Sequence, residues 1–201
     1  MDFDTARPYY KASCEATLEW IGWHDPAVME RRPGSCLVVG SAPAEALAIQ
    51  QAGWQVTLVD VRPLPPLPGI TTRQANALEL PFADGAFDAV SSCCVLCHVG
   101  LGRYGDPAGS DWAMLHELAR VLRSGGRMGL MPGPAAMQAV TIETTHRVYS
   151  PSSLSAIWPA DLFIDAHRYF RPESKAWLED DEVSADPYTP DYLWLGVHRA
   201  R

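Results

Sequence analysis

Short β-branched runs alternate with helix-forming stretches along most of this chain. The run CLVVG at residues 36–40 precedes the alanine-rich stretch APAEALAIQQAG, and WQVTLVDV at residues 54–61 precedes a proline-rich loop. Runs that are apolar throughout indicate strands buried on both faces, as in parallel sheets. The alternation therefore predicts an α/β fold of the Rossmann-like, doubly wound type, with a mostly parallel sheet of about seven strands. Two late runs that lie close together, DLFIDAHRYF and DYLWLGVHR, predict an antiparallel edge.

The size and charge of the chain limit its organisation and its partners. Its 201 residues predict a single domain over residues 1–201, with an N-terminal helical cap at 1–33 and a core at 34–201. A formal net charge of −8 without a basic run argues against a nucleic-acid partner. No apolar window reaches the roughly 18 residues of a membrane span, and the N-terminus lacks a basic region followed by an apolar run. We expect a cytoplasmic protein without a membrane partner, and the sequence is compatible with a homodimer. Abundant alanine and proline with rare lysine suggest a bacterial source.

A glycine turn and an acid follow the first two predicted strands. Gly40 ends the first strand, and Asp60 ends the second. A glycine there lets the backbone approach a ligand closely, and an acid there can accept hydrogen bonds from ribose hydroxyls. The turn continues as Ser41-Ala42-Pro43, in which Ala42 still allows close approach and Pro43 lacks an N–H donor. The pattern favours a nucleotide-like ligand without phosphates, and the alternative is an ordinary strand-to-helix turn.

Two further stretches carry a resemblance to a known family. They are ANALELPFADGAFDAV at residues 75–90 and HELARVLRSGGRMGL at residues 116–130. Together with the glycine turn and the acid, their order is similar to that of class I S-adenosylmethionine-dependent methyltransferases of the small-molecule type. The resemblance covers roughly residues 34–133, and the later stretch HRVYSPSSLSAIW also fits it. It implies S-adenosylmethionine as the cofactor, bound by Gly40, Ser41, Ala42, Asp60, Val61, Asn76, Ala77 and Cys93.

Two positions depart from the family pattern. Val38 stands where an acid usually precedes the first glycine, and Asn76 stands where an acid usually faces the adenine amino group. The amide oxygen of Asn76 can still accept a hydrogen bond from that group. With the altered glycine turn, these changes leave two alternatives. The chain is a methyltransferase with a modified cofactor pocket, or it has a methyltransferase fold that no longer transfers methyl groups.

The stretch CVLCH at residues 94–98 has the spacing of a c-type haem attachment site. We expect neither haem nor a metal ion there. Cys94 and Cys97 fall in an apolar run that reads as a strand, so their side chains should point to opposite faces. Haem attachment also normally requires export. An odd number of cysteines favours free thiols, which often pack as small hydrophobic groups.

The chain continues as the loop HVGLGRYGDP at residues 98–107. This loop resembles, nearly letter for letter, a functionally undefined branch of the same superfamily. The resemblance places it at the rim where a methyl acceptor enters. There His98 could serve as general base, Arg103 as an anion clamp, and Tyr104 as a partner of the base or an aromatic wall. The alternatives are that His98 only anchors the loop and that Arg103 pairs with Asp106.

These observations predict an enzyme that transfers a methyl group from S-adenosylmethionine to a small-molecule acceptor. The predicted catalytic residues are His98, Tyr104 and Arg103. One alternative is a cyclase, isomerase or lyase on the same fold. Another is a non-catalytic protein that binds a ligand or a partner subunit. Three residues are expected to be solvated or packed rather than functional: His116, Glu117 and His146.

Overall fold

The computed structural model describes residues 8–22, 34–40, 43–102, 104–105, 110–142 and 145–201. Helices in these segments are α1 (Pro8–Gly22), α2 (Pro43–Gln51), α3 (Asp111–Val121) and α4 (Pro151–Ser155). A 3₁₀ turn covers Leu96–His98 and another covers Asp180–Glu182. None of the helices in the described segments is long and apolar enough to cross a lipid bilayer. The strands are β1 (Ser35–Val39), β2 (Gln55–Asp60), β3 (Thr71–Gln74), β4 (Phe87–Cys93), β5 (Leu122–Ala135), β6 (Val140–Ile142), β7 (His146–Val148), β8 (Leu162–Arg171), β9 (Ala176–Leu178) and β10 (Asp191–Arg199).

Eight of these strands form one sheet in the order β3-β2-β1-β4-β5-β10-β8-β9. The first five run parallel, while β10, β8 and β9 pair antiparallel. The predicted doubly wound α/β fold with an antiparallel edge is therefore confirmed. The strand beyond the expected seven is β9, a short strand that pairs with the end of β8. β6 and β7 form a separate hairpin. Because the strand order reverses between β1 and β4, their carboxyl ends flank the switch point where such sheets bind ligands.

Both faces of the central parallel strands β1 and β4 are buried, which explains their continuous apolar runs. Leu37 and Val39 of β1 pack into one hydrophobic cluster with residues of α3 such as Leu118. Cys36 and Val38, which point the other way, pack into a second cluster with residues of α2 such as Ile49. Alternate residues of one strand thus enter separate core layers. The burial of Val38 accounts for the apolar residue at this position.

Helix α1 lies against the sheet where two neighbouring strands carry glycine. Gly129 of β5 and Gly196 of β10 are paired directly across the ladder. A Cβ on Gly129 would lie 2.3 Å from Oγ1 of Thr17, and one on Gly196 would lie 2.9 Å from Cδ2 of Trp20. No larger side chain fits without moving the helix. We call Gly129 and Gly196 the glycine window, and it sets the position of α1 and its N-terminal tyrosines.

Helix α3 is shorter than the stretch DWAMLHELARVLRSGG predicts from Asp111 as N-cap and a stop at Gly125-Gly126. Ser110 precedes the helix, and Asp111 is its first, buried residue. The helix ends at Val121, because Leu122 adopts the extended conformation of β5. The guanidinium of Arg199 binds carbonyl oxygens at this end, at 3.2 Å from Arg120 O and 2.6 Å from Leu122 O. The glycine pair falls inside β5, where Gly125 has a φ of +69°.

Acidic residues of the family-like stretches act as structural ties. Arg120 of α3 binds Asp84 at 2.8 Å and also donates to the carbonyl oxygens of Phe82 and Leu80. Asp88 accepts hydrogen bonds from the backbone N–H and hydroxyl of Ser35. Burial opposes the ionisation of Asp88, but Ser35 and Arg123 outweigh it and hold its pKa below the usual range. These contacts fix the loop that follows β3 and the start of β1.

Candidate functional site

A cavity of about 580 Å³ opens at the carboxyl ends of the parallel strands. One part, here called the β2 side, is lined by Gly40, Asp60, Val61, Asn76 and Ala77. The opposite part, here called the β10 side, is lined by His98, Pro134, Thr145, His146 and Tyr192. The sheet order explains this division, because β3, β2 and β1 lie next to one another and β4, β5 and β10 follow. The cavity lies where the sequence predicted a ligand site.

Gly40 forms the turn that the sequence predicts after β1. Its φ of +63° is a left-handed conformation that glycine adopts readily, and its N–H donates to the carbonyl oxygen of Val59 at 2.7 Å. A Cβ at this position would lie 2.6 Å from Cγ2 of Val95. The turn therefore brings backbone to the cavity wall. The predicted cofactor residues Ser41 and Ala42 lie outside the described residues.

Asp60 lies at the end of β2 with its side chain almost buried. Arg62 donates from Nη2 to Oδ2 at 2.7 Å, from Nε to Oδ1 at 2.9 Å, and from its backbone N–H to Oδ1 at 2.8 Å. Burial opposes ionisation of Asp60, but these bonds and the charge of Arg62 outweigh it and lower the pKa of the carboxyl. Asp60 is therefore an ionised acceptor that already has a cationic partner, which the sequence did not indicate.

The other predicted residues of the β2 side follow β2 and β3. Val61 and Ala77 line the cavity with their apolar surfaces. Asn76 is exposed, and its Oδ1 accepts the backbone N–H of Leu78 at 3.0 Å. An amide oxygen has two lone pairs, so Asn76 can accept a second hydrogen bond there.

The cysteines at the end of β4 differ from the sequence prediction. Cys93, predicted to bind the cofactor, is fully buried in the core with Sγ at 3.8 Å from Sδ of Met131. Cys94 and Cys97 line the cavity instead. The predicted extended conformation is wrong for this pair, because β4 ends at Cys93 and Cys94 adopts a φ of +55°. Cys97 lies in the 3₁₀ turn, where its Sγ donates to the carbonyl oxygen of Cys94 at 3.6 Å.

The thiols of this segment are in environments that favour the protonated form. Burial raises the pKa of the Cys97 thiol to about 12 and raises that of Cys94 well above its usual value. A thiolate is the form that binds metals. The absence of haem and metal therefore stays a prediction that now depends on burial rather than on strand geometry.

His98 is held by the segment that contains β7. Its Nδ1 lies 2.6 Å from the carbonyl oxygen of Thr145. Because a carbonyl only accepts hydrogen bonds, Nδ1 carries the hydrogen, and the lone pair of the neutral ring is on Nε2. Arg147 donates to the carbonyl oxygen of Val99, and the Tyr149 hydroxyl donates to that of Leu96 at 3.2 Å. We call residues 145–149 the clamp, because they hold both ends of the turn that carries His98.

The clamp also brings a second histidine to the cavity. His146 lines the β10 side, and its ring centre is 6.4 Å from that of His98, with the planes at 77°. Burial, and then the nearby His98, lower the pKa of His146. The expectation that His146 is solvated or packed rather than functional stays untested, although its side chain lines the cavity. The stretch HRVYS, already part of the family resemblance, was the signal that could have identified it.

Tyrosines from distant segments complete the β10 side. Tyr9 of α1 stacks on Tyr192 of β10 with ring centres 4.1 Å apart and planes at 12°, and Tyr10 lies beside it. Tyr104 also lines the cavity. The pKa of Arg62 is raised mainly by Asp60, and Tyr104 lies close enough to Arg62 to raise it further. The predicted anion clamp Arg103 and its alternative partner Asp106 lie outside the described residues.

Comparison with known sequences identifies the same family that the sequence resembles. Residues 37–130 match the family described as methyltransferase domain. A curated relative, 27-O-demethylrifamycin SV methyltransferase of Amycolatopsis mediterranei (strain S699), is 36% identical over 70 residues. These residues cover 32% of this chain and 22% of the relative, so the match spans about a fifth of the relative's length.

Comparison with solved structures extends the similarity over the whole chain. Burkholderia thailandensis 1,6-didemethyltoxoflavin-N1-methyltransferase, solved with 1,6-didemethyltoxoflavin and S-adenosylhomocysteine, has a TM-score of 0.66 at 14% identity, covering 100% of this chain and 82% of its own. The [4+2]-cyclase SpnF has a TM-score of 0.65 at 14% identity, and the match covers 98% of this chain and 82% of SpnF. An S-adenosylmethionine-dependent methyltransferase from Mesorhizobium loti has a TM-score of 0.64 at 14% identity, and the match covers 98% of this chain and 100% of the Mesorhizobium protein. At these identities the similarity concerns the fold alone. Residues 37–130 thus match the methyltransferase-domain family and the whole chain shares the fold of these structures, so the resemblance to class I S-adenosylmethionine-dependent methyltransferases is confirmed.

Proposed function

We propose that this chain transfers a methyl group from S-adenosylmethionine to a small-molecule acceptor, with His98 as general base. The observation that carries the proposal is one continuous cavity that joins Gly40 and Asp60 on the β2 side to His98 on the β10 side. Its volume of about 580 Å³ lies in the range of small-molecule sites, roughly 300–1,000 Å³. A cofactor and its acceptor can therefore meet within one cavity.

The residues of the β2 side fit this cofactor. Gly40 lines the cavity without a side chain of its own, so its backbone is available to a ligand there, and Val95 packs where its Cβ would be. Asp60 offers ionised carboxylate oxygens to ribose hydroxyls, and Asn76 offers an amide oxygen to the adenine amino group. Val61 and Ala77 give apolar surface beside them. When bound, S-adenosylmethionine supplies a methyl group that is already activated on its sulfonium.

The residues of the β10 side have three tasks in this reaction: to orient the acceptor, to exclude water and to remove a proton. Nε2 of His98 is suited to take the proton, because the Thr145 carbonyl oxygen holds the hydrogen on Nδ1. Tyr9, Tyr10 and Tyr192 form an aromatic wall that can shelter a small acceptor from water. Tyr104, which lines the cavity, keeps its proposed role as a wall or a partner of the base. Arg103, which lies outside the described residues, keeps its proposed role as an anion clamp.

The ion pair between Asp60 and Arg62 supports a second candidate function. A carboxylate that already binds a guanidinium is a poorer acceptor for ribose hydroxyls than one that binds only water. On this candidate, the chain has the fold of a methyltransferase but binds another ligand, as a cyclase, isomerase or lyase, or as a non-catalytic binding protein. The fold of the [4+2]-cyclase SpnF is compatible with it.

Calorimetric titration with S-adenosylhomocysteine, followed by a transfer assay, separates the two candidates. Labelled S-adenosylmethionine would be incubated with the protein and a bacterial small-molecule extract, with a heat-inactivated sample as control. Binding and the appearance of a labelled product support methyl transfer. Binding without any labelled product favours the second candidate, and absence of binding contradicts the cofactor assignment.

A further inference from the structure

His146 has no role in the function proposed above, on which the following inference rests. Its ring lines the cavity beside His98, with ring centres 6.4 Å apart and planes at 77°. It directly follows Thr145, whose carbonyl oxygen binds Nδ1 of His98. The same short backbone segment therefore sets the tautomer of one histidine and the position of the other.

The separation of the two rings matches a single oxygen atom placed between them. A direct N–H···N hydrogen bond would bring the ring centres to roughly 5 Å, which is closer than observed. An oxygen joined to each ring by a hydrogen bond of about 2.8 Å would lie roughly 4 Å from both ring centres. If one nitrogen of each ring points at this oxygen, centres 6.4 Å apart make the two bonds meet there at an angle of about 110°. A hydroxyl group has this tetrahedral arrangement of its hydrogen and its lone pairs.

We propose that His146 is a second catalytic residue, which donates its imidazole N–H to the oxygen of the acceptor hydroxyl while Nε2 of His98 accepts the hydroxyl hydrogen. The two histidines then use the hydrogen and one lone pair of that oxygen. The remaining lone pair is oriented for attack. The oxygen–carbon bond forms as the carbon–sulfur bond of S-adenosylmethionine breaks, its electron pair stays on sulfur, and the hydroxyl proton passes to Nε2 of His98.

The surroundings of His146 favour the neutral ring that this role requires. Burial and the nearby His98 lower its pKa, so the ring keeps a single N–H near neutral pH. A second positive charge beside His98 would oppose proton transfer to it. Among the described residues, the ionisable groups that share this part of the cavity with His146 include Tyr10 from α1, Tyr192 from β10 and Cys97 from the turn, and Arg147 follows His146 in β7. Burial raises the pKa of Tyr10 and Cys97, and Arg147 is directed at Val99 O and Asp111.

Phenol is a suitable probe, because its hydroxyl can reach both histidines while its ring contacts the aromatic wall of Tyr9, Tyr10 and Tyr192. Anisole is the matched control, since its oxygen has no hydrogen to donate. The protein is first saturated with S-adenosylhomocysteine, and the imidazole signals of His98 and His146 are followed by NMR during titration. We expect phenol to shift both signals with one dissociation constant and anisole to leave that of His98 unchanged. The proposal is overturned if phenol shifts only one of the two histidine signals, or shifts neither signal up to the solubility limit of phenol.

Two variants separate hydrogen bonding from simple packing. His146→Phe keeps a ring but loses the donor, and we expect phenol to bind about two- to tenfold more weakly, the effect of one lost hydrogen bond. His146→Gln keeps an N–H donor and should bind phenol within about twofold of the original protein. Unchanged phenol affinity in His146→Phe overturns the proposal. Both variants should bind S-adenosylhomocysteine normally, so failure of the unaltered protein to bind it would count against the proposed function instead.

Discussion

Arg62 holds the carboxylate of Asp60 at both oxygens, at 2.7 Å and 2.9 Å. The two side chains differ in burial, because that of Asp60 is 4% exposed whereas that of Arg62 is 65% exposed. A ligand that uses the Asp60 oxygens must therefore share or displace a partner that lies mostly in solvent. Because the guanidinium of Arg62 lies mostly in solvent, it would stay hydrated when a ligand displaces it from Asp60.

Replacing the two members of this pair should change the affinity for S-adenosylhomocysteine in opposite directions. Asp60→Ala should lose about 1–3 kcal/mol of binding free energy, because the ribose hydroxyls lose their acceptor. Arg62→Ala removes a competitor for that acceptor and should bind about two- to fivefold more tightly. Titration calorimetry measures both, with Arg168→Ala as a control on another exposed arginine. Weaker binding by Arg62→Ala would show that Arg62 itself donates to the cofactor.

His98 can be tested as base separately from its role in holding the loop. His98→Ala should lower turnover about a hundred- to ten-thousandfold, the usual contribution of a general base, with nearly unchanged cofactor affinity. His98→Asn is the matched variant, since its amide N–H can still donate to the Thr145 carbonyl oxygen but cannot act as a base. If His98→Ala unfolds and His98→Asn is fully active, His98 is only an anchor. Normal turnover in both would make it a bystander.

Acidification should destabilise the fold through His146. Its pKa is lowered in the folded protein by burial and by His98, so the unfolded state binds the proton more readily. The stabilising contribution of the neutral ring is present above the unfolded-state pKa of about 6.5 and is lost as pH falls below it. We expect His146→Gln to lose less stability between about pH 7 and pH 5 than the original protein. Denaturant unfolding at several pH values measures this, and parallel pH profiles would contradict the assignment.

Gly129→Ala should displace α1, because a Cβ there would meet Thr17 at 2.3 Å. Overpacking of this kind costs about 1–3 kcal/mol in the free energy of unfolding. Adding Thr17→Ala should recover part of that loss, since the hydroxyl and methyl group of Thr17 are two of the obstructing groups. Chemical denaturation of the two single variants and the double variant gives the coupling. Purely additive losses would show that the contact does not determine the helix position.

Cys94 and Cys97 should carry neither haem nor a metal ion in the purified protein. Their burial keeps both thiols protonated, which disfavours metal ligation. Elemental analysis and a visible spectrum provide the measurement. Stoichiometric zinc or iron, or a haem absorption band, would refute this expectation.

The alternation of strands and helices was enough to predict the fold, because a continuous apolar run is the direct consequence of a strand buried on both faces. Gly40 and Asp60 could be placed at one cavity for the same reason, since the carboxyl ends of neighbouring parallel strands meet at one edge. The family resemblance added Asn76 and Ala77, which line that cavity as well. The single-domain organisation and the cytoplasmic location stay predictions.

The rest of the site could not be predicted because it depends on contacts between distant residues. The family resemblance alone placed Cys93 at the cofactor, and the sequence does not show that its side chain enters the core or that the chain turns at Cys94, where φ is +55°. His146 lies on β7 of a hairpin, and apart from the family resemblance of HRVYS the sequence does not indicate where that hairpin docks. The pairing of Arg62 with Asp60 is local, but a sequence with an arginine two residues after an acid does not specify which way the guanidinium turns.

The clamp at residues 145–149 also determines when the site can be completed during synthesis. The segments that supply Gly40, Asp60 and Asn76 leave the ribosome early and include neighbouring parallel strands. The turn that carries His98 gains its partners, Thr145, Arg147 and Tyr149, only some fifty residues later. Contacts of such long sequence separation form slowly, because the intervening chain must first be ordered. A nascent chain would thus have a nearly complete β2 side before His98, the proposed base, is held in place.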